Sequence, residues 1–378
     1  MRAMLFRGGR NFAVMIKIIE KNFGSEYRAA VISDIHGSFG LLKRLLNREE
    51  VRGADQLVFD GDYISRGRES LACMRFLMSL EGRENVTVLK GNLERLINWY
   101  LHGDAEAILR HFTVHRRNIF RECAEEQGFT QVTESNFEKL RKVFREKYAG
   151  IIEYAADLPN ALETEDFVFT HAGLGAAPNW RDSTEQEVMK NDPFIKTGVN
   201  TTGKWLVCGH MPTWNSPLSE NTNNCIVDKT RKCVFIDGGN QVKSFAQLNA
   251  LTAEKRGELS FATVFESFYP VFYAAEDFVP EDDFGCEKDC WPQRELSVVE
   301  KGEDFSLCER EDGTRIRVNN AHLRFDGAGA SFACNSVSAF LSVKKGERLE
   351  LLDAAEGSFV FVRSGAGCIG WVGREVLG

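Results

Sequence analysis

No apolar run in the sequence approaches the roughly 18–20 residues that a bilayer-crossing helix needs, so no membrane span is expected. A basic excess is missing as well. Lys and Arg number 47 against 55 Asp and Glu in 378 residues, a formal net charge of -8. Duplex binding begins with a basic face, so a generalised nucleic-acid binder is not expected. The ten cysteines lack the paired C-x2-C spacing of a structural zinc site, and Cys286 and Cys290 form the only close pair. Free, buried thiols in a reducing compartment are the expectation. An export signal is not expected either. Val14-Met15-Ile16-Lys17-Ile18-Ile19 is short, broken by Lys17, and followed by Glu20-Lys21 instead of a small-residue cleavage site. Together these absences point to a cytoplasmic protein. With 43% hydrophobic and 27% charged residues, disorder over most of the length is excluded, and the length predicts two or three domains.

The chain has three textures. An N-terminal extension occupies residues 1–27. From 28 to 263, short β-branched runs alternate with helical stretches. Ala29–Ser33, Gln56–Phe59, Val86–Leu89, Phe167–Phe169, Leu206–Cys208 and Val234–Ile236 each read as a buried strand ending in a polar or Gly cluster, where α/β folds place their sites. Residues 95–155 are helical in pattern and predict a cap. Beyond Glu266 aromatics crowd together, and Glu276 to Glu300 carries nine acids against Lys288 and Arg294. An internal repeat at an offset of 44 aligns Lys301-Gly302-Glu303 with Lys345-Gly346-Glu347 and Gly313 with Gly357. It predicts two small β modules, 264–325 and 326–378.

Five strand ends deliver chemistry in order. The first gives Asp34-Ile35-His36-Gly37, and the second Asp60-Gly61-Asp62-Tyr63-Ile64-Ser65-Arg66-Gly67. The third gives Lys90-Gly91-Asn92-Leu93-Glu94, the fourth Thr170-His171-Ala172-Gly173, and the fifth Cys208-Gly209-His210-Met211-Pro212. A carboxylate with imidazoles suits Mn, Fe or Zn, and an arginine suits an anionic substrate. Singly, the acids and Asn92 also fit turns and helix caps, and the histidines also fit satisfied core positions. Six ligand-type residues in this order favour a metal site.

These motifs resemble those of the calcineurin-like metallophosphoesterases, most closely the phosphoprotein-phosphatase branch, over about residues 29–240. The resemblance implies an α/β fold, a β-sandwich flanked by helices, with two divalent metals, Mn first and Fe or Zn as alternatives. It implies that Asp34, His36 and Asp62 hold one metal and that Asp62, Asn92, His171 and His210 hold the other. Asp62, Arg66 and Asn92 would be catalytic, and Arg66, Asn92 and Lys190 would bind substrate, Lys190 standing in for a second arginine. The implied reaction is direct hydrolysis of a phosphomonoester by a metal-bridging hydroxide, with phosphoproteins as possible substrates.

Two positions depart from the family. Leu93 stands where the branch has a proton-donating histidine, and Ser65 stands where that histidine's supporting aspartate lies. General acid catalysis contributes about 10²–10⁴-fold, so its loss weakens attack on alkyl phosphates more than on aryl phosphates or phosphoanhydrides. Three readings follow: a phosphomonoesterase favouring good leaving groups, a dinucleoside polyphosphate hydrolase, and a pseudophosphatase scaffold. His111 and His115, beside Arg110, Arg116 and Arg117, read as a solvated basic helix face in preference to a phosphate-facing patch. His102 has no geometric warrant as the missing acid.

The tail carries an SH3-like resemblance. Phe272–Phe278 followed by Glu295–Glu303 is similar to an SH3 opening, and Leu341–Glu347 with Gly367–Val372 is similar to bacterial SH3-like barrels. A basic proline-rich peptide is one implied partner. Packing on the catalytic domain, or self-association, is the other and the favoured reading.

Overall fold

The computed structural model describes residues 15–281, 285–288, 295–325, 331–333 and 336–378. The extension before Met15, part of the acidic stretch and Cys290 lie outside these described residues.

Two mixed sheets stack face to face. In one, the order runs Glu258–Glu266, Leu248–Arg256, Tyr27–Ile32, Gln56–Asp60, Val86–Leu89; in the other, Ile18–Glu20, Ala161–Glu163, Phe167–Thr170, Trp205–Cys208, Cys233–Phe235, Ile226–Asp228. Tyr27–Ile32, Gln56–Asp60 and Val86–Leu89 are mutually parallel, as are Phe167–Thr170, Trp205–Cys208 and Cys233–Phe235. Alternation along the strands builds three apolar layers. Ala29, Val31, Val58, Phe167, Phe169, Val207 and Val234 fill the space between the sheets. Ala30, Ile32 and Phe59 turn outward to the helices on one side, and Val168, Leu206 and Cys208 to the other. Burial on both faces explains why these strands read as unbroken apolar runs.

The expected cap is five helices: Arg95–His102, Ala105–Val114, Ile119–Glu126, Glu134–Lys147 and Ala149–Asp157. Their apolar stripes converge on Phe112, Phe120, Phe137 and Phe144, which join the same core as the outer face of the first sheet. Asp104 and Asn118 cap helix starts by accepting from the Ala107 and Arg121 amides. Among the described residues no helix is long and apolar enough to cross a membrane. The eight described cysteines are unpaired, and Cys286 is exposed.

The tail forms two antiparallel sheets whose arrangement differs from the expected modules. Val271–Tyr273, assigned above to the first module, pairs with Arg348–Glu350. The strands Leu296–Glu300, Phe305–Arg310, Arg315–Asn319, Leu323–Phe325 and Ser331–Ala333 form the other sheet. One unit is thus nested inside the other, and residue 325 is not a seam.

The internal repeat persists, but at another register. Phe305 pairs with Asn319 as Phe359 pairs with Gly373, an offset of 54. The left-handed turn glycines are Gly313 and Gly367, each donating to a carbonyl three residues back, Arg310 or Ser364. Both units carry a bulge at the same place, between Val298 and Glu300 and between Leu351 and Asp353. The 44-residue alignment matched Lys-Gly-Glu turns that occupy different places. Lys301–Glu303 links two strands of its unit, whereas Lys345–Glu347 precedes the strand Arg348–Asp353. Turn chemistry recurs wherever a chain reverses, so it misled where hairpin register did not.

The outer unit rests on the sandwich beside the loop that follows Trp205–Cys208. Trp371, Phe361, Ile369 and Val337 share a core with Trp214, and Phe245 and Tyr269 pack against it.

Candidate metal centre

The parallel strands of both sheets end at one edge, and their loops continue the pairing past the strands. The Asp34 amide donates to the Gly61 carbonyl (3.1 Å), His36 to Asp62 (2.9 Å) and Gly37 to Tyr63 (2.8 Å). Crossing over in this way forces unusual backbone. Asp34, His36, Asp62, Ser65, Arg66 and His210 all have φ between +47° and +69°, a region that costs non-glycine residues energy and collects at functional sites. Gly61 is required for a second reason. A Cβ there would lie 2.6 Å from the Gly91 Cα and 2.7 Å from His171 Nδ1, so a side chain would push the loops apart.

Within this edge, donor atoms of Asp34, His36 and Asp62 lie within 4.8 Å of one another, and so do those of Asp62, His171 and His210. Asp62 belongs to both groups. Asp34 Oδ2 accepts from the His210 amide (2.9 Å) and the Ser33 hydroxyl (2.7 Å), which turns Oδ1 towards His36 Nε2 at 3.6 Å. Asp62 Oδ1 accepts from the Leu93 amide (2.8 Å) and lies 3.4 Å from His171 Nε2.

Outer partners set which ring nitrogen faces inward. The Asp60 carbonyl lies 2.7 Å from His171 Nδ1, so that nitrogen carries the proton and Nε2 points to Asp62. Asp192 Oδ1 lies 2.8 Å from His210 Nε2, leaving Nδ1 as the inward donor. Asn92 sits against that Nδ1. With its nitrogen towards the ring, the amide donates to Nδ1 (2.8 Å) and to the Met189 carbonyl (3.2 Å). Turned over, it places Oδ1 beside Nδ1.

The electrostatics are those of a dehydrated pocket of opposed charges. Burial lowers the His36 pKa to about 4, against the pull of Asp62 and Asp34. Burial also works against ionised Asp62, but His171, His36 and the Leu93 amide outweigh it and hold Asp62 below the usual carboxylate range. Burial works against a charged His171, but Asp62, through its charge and its hydrogen bond, together with Asp34 and Asp60 outweighs it and holds His171 well above the usual imidazole range. Burial and the Asp62 charge raise Glu94 to about 7. Its carboxylate accepts from the amides of Asp62, Tyr63 and Gly91 at 3.0, 2.9 and 2.9 Å, bracing two loops together.

The residues fit divalent cations. Asp34 Oδ1 is buried without a hydrogen-bond partner among the described residues, an arrangement that is costly for a polar atom unless something else binds it. The mixed carboxylate and imidazole donors suit Mn, Fe or Zn.

A family profile described as "Calcineurin-like phosphoesterase" matches residues 27–252. The chain belongs to that family. Calcineurin-like phosphoesterases use dinuclear metal centres, and the shared Asp62 matches such a pair of sites. Among curated proteins, the phosphoesterase is 44% identical over 59 residues to a symmetrical bis(5'-nucleosyl)-tetraphosphatase of Actinobacillus succinogenes, covering 15% of this chain and 21% of that one. It is 25% identical over 161 residues to the Vibrio cholerae protein of the same name, covering 42% and 49%. The chain therefore spans about half or less of the length of these relatives. Solved structures similar to it include a protein serine/threonine phosphatase from Saccharomyces cerevisiae, with TM-score 0.41, 14% identity, and 68% and 85% coverage of this chain and that one. A metallophosphoesterase from Sphaerobacter thermophilus has TM-score 0.36, 15% identity, and 63% and 88% coverage.

Arg66 and Lys190 lie within electrostatic reach of the donor groups. Arg66 is exposed, its amide donates to the Arg117 carbonyl (3.1 Å), and its charge bears on His36. Lys190 is exposed, and its charge bears on Asp192, which the hydrogen bond from His210 already holds below the usual carboxylate range. Leu93 is buried in the core shared with the cap, and Ser65 is buried with its hydroxyl facing Tyr100. His111 and His115 stack at 4.2 Å, and His102 is exposed.

Sequence reasoning missed Asp192 and gave Glu94 no role. Glu94 had a signal, since it follows Asn92 in the same strand-end cluster. Asp192 had none, because its link to His210 exists only once residues 171–210 are folded.

Proposed function

We propose that this chain hydrolyses phosphomonoesters whose leaving groups depart without full protonation, phosphoproteins bearing aryl phosphates among them. The observation that carries the reading is the pair of donor groups sharing Asp62. Asp34, His36 and Asp62 would hold one divalent cation, and Asp62, Asn92, His171 and His210 the other. Bound there, the two cations would polarise the phosphoryl oxygens and lower the pKa of a nucleophilic water. Arg66 and Lys190 would neutralise and orient the phosphate. Asp192 and the Asp60 carbonyl keep the imidazoles turned to the correct nitrogen. Leu93, buried and aliphatic, gives no proton to a leaving alkoxide.

A second reading, hydrolysis of a dinucleoside polyphosphate, is favoured by the matches to symmetrical bis(5'-nucleosyl)-tetraphosphatases. A phosphoanhydride also releases a good leaving group. The tail's SH3-like character is a further part of the proposal, with the outer unit's contact to the sandwich as its role.

The test is turnover by Mn²⁺-loaded protein of an aryl phosphate, a phosphoseryl peptide and a dinucleoside tetraphosphate. Aryl turnover should exceed seryl by about 10²-fold or more, and Leu93→His should raise the seryl rate selectively. Equal rates on the first two would sink the leaving-group reading. A dominant rate on the third would select the nucleotide reading. Full metal occupancy without any turnover would make the chain a binding scaffold.

A further inference from the structure

The loop Asp237–Gln247 reaches from the metal centre to the tail. At its near end, Asn240 Nδ2 donates to the Ile35 carbonyl (2.8 Å) and the Ser38 hydroxyl (3.2 Å), and Gln241 Nε2 donates to the same hydroxyl (3.2 Å). These bonds bracket the turn that carries His36. At its far end, the Phe245 amide donates to the Tyr269 hydroxyl (2.9 Å), and its carbonyl accepts from Asn223 Nδ2 (2.7 Å) and from Arg363. The same Arg363 nitrogen lies 3.2 Å from the Ala246 carbonyl. Gln241 and Phe245 have φ of +59° and +64°, so the loop keeps its shape only while its surroundings impose it.

Arg363 is built into that role. It lies on the tail strand Phe359–Ser364 and is 0% exposed. One arm of its guanidinium meets Glu350 Oε2 at 2.7 Å, and that oxygen also accepts from the Ser267 hydroxyl at 2.8 Å. The rings of Phe265 and Tyr269 lie 5.5 and 5.7 Å away. The Phe245 ring is wedged between His322, stacked at 5.5 Å, and Phe361, edge-on at 4.8 Å. A planar fork can serve a carboxylate and two carbonyls together; an ammonium cannot do so with the same geometry.

We propose that Arg363 is a positioning residue for the metal centre. By holding the Phe245 and Ala246 carbonyls it keeps the strained loop in the shape in which Asn240 and Gln241 brace Asp34–Ser38. The tail is then part of the machinery that forms the site. The inference rests on the metal-binding half of the proposed function, and its test needs no turnover.

The experiment is Mn²⁺ titration of the full chain by calorimetry, with amide hydrogen exchange on the metal-free protein. Arg363→Met combined with Glu350→Gln removes both buried charges together. Mn²⁺ affinity should fall about tenfold or more, and exchange should quicken in 34–38 and 240–246 while Phe167–Thr170 stays protected. Unchanged affinity and unchanged loop exchange would overturn the proposal, as would faster exchange confined to the tail sheet. If the double variant does not fold, Arg363→Lys decides. It retains the charge but not the fork, and wild-type affinity with it would refute the positioning role. Normal metal effects in a chain that turns over no phosphoester would instead fault the proposed reaction.

Discussion

Asp192 fixes which nitrogen His210 turns inward. An imidazole offers either nitrogen, and the 2.8 Å contact at Nε2 leaves Nδ1 beside Asn92. Replacing Asp192 with Ala should weaken metal binding about 10–100-fold, at the Asp62–His171–His210 group more than at the Asp34–His36 group. Asp192→Asn, which keeps an acceptor, should lose less. Electron paramagnetic resonance during Mn²⁺ titration distinguishes one filled position from two, and equal weakening at both would argue against the assignment. The strand-end residues were legible in the sequence because each follows an apolar run that could only be a buried strand. Asp192 was not, because it comes from a long connection whose path no local pattern specifies. Leu93 was legible only by comparison with the family, since an aliphatic residue in a core is otherwise unremarked.

At the scale of elements, the cap depends on the pairing of its short helices through one aromatic core. His111 lies within it, its pKa lowered to about 4 by burial and then by His115. In the unfolded chain it titrates near the ordinary imidazole value of about 6.5. Between those values the unfolded chain binds more protons. The contribution is therefore fully present above pH 6.5 and declines as the pH falls towards 4. Melting midpoints of the His111→Gln variant should fall less steeply than wild type across that window; parallel curves would show that His111 burial does not set the slope. The repeat in the tail carries the same lesson about elements. Its 54-residue register lies in the Phe305–Asn319 and Phe359–Gly373 hairpins, whose sequences differ, whereas the matching Lys-Gly-Glu turns lie out of register.

For the whole molecule, the sandwich and tail share one apolar junction. Trp371 is fully buried, packs against Phe361 and Phe305 at 4.7 and 5.3 Å, and shares a cluster with Trp214, four residues past His210. Trp371→Ala should cost about 3–5 kcal/mol, with sandwich and tail probes shifting together in urea. A shift confined to the tail would show that the two unfold independently. The net charge of -8 likewise acquires a place. The acidic stretch Glu276–Glu300 belongs to the tail, so the acidic excess does not argue against the anion-binding role proposed for Arg66 and Lys190.

By itself the sequence determined the sandwich strands, the cap and the order in which Asp34, His36, Asp62, Asn92, His171 and His210 reach one sheet edge. These depend on short-range alternation and on the rule that parallel strands end together. Only the tertiary structure decided the rest: the nesting of the tail units, the His210–Asp192 pair and the buried reach of Arg363 to Phe245. Those contacts join residues 18 to 118 positions apart. Their partners are selected by packing and by the need to satisfy buried polar groups, and no window of local sequence contains both.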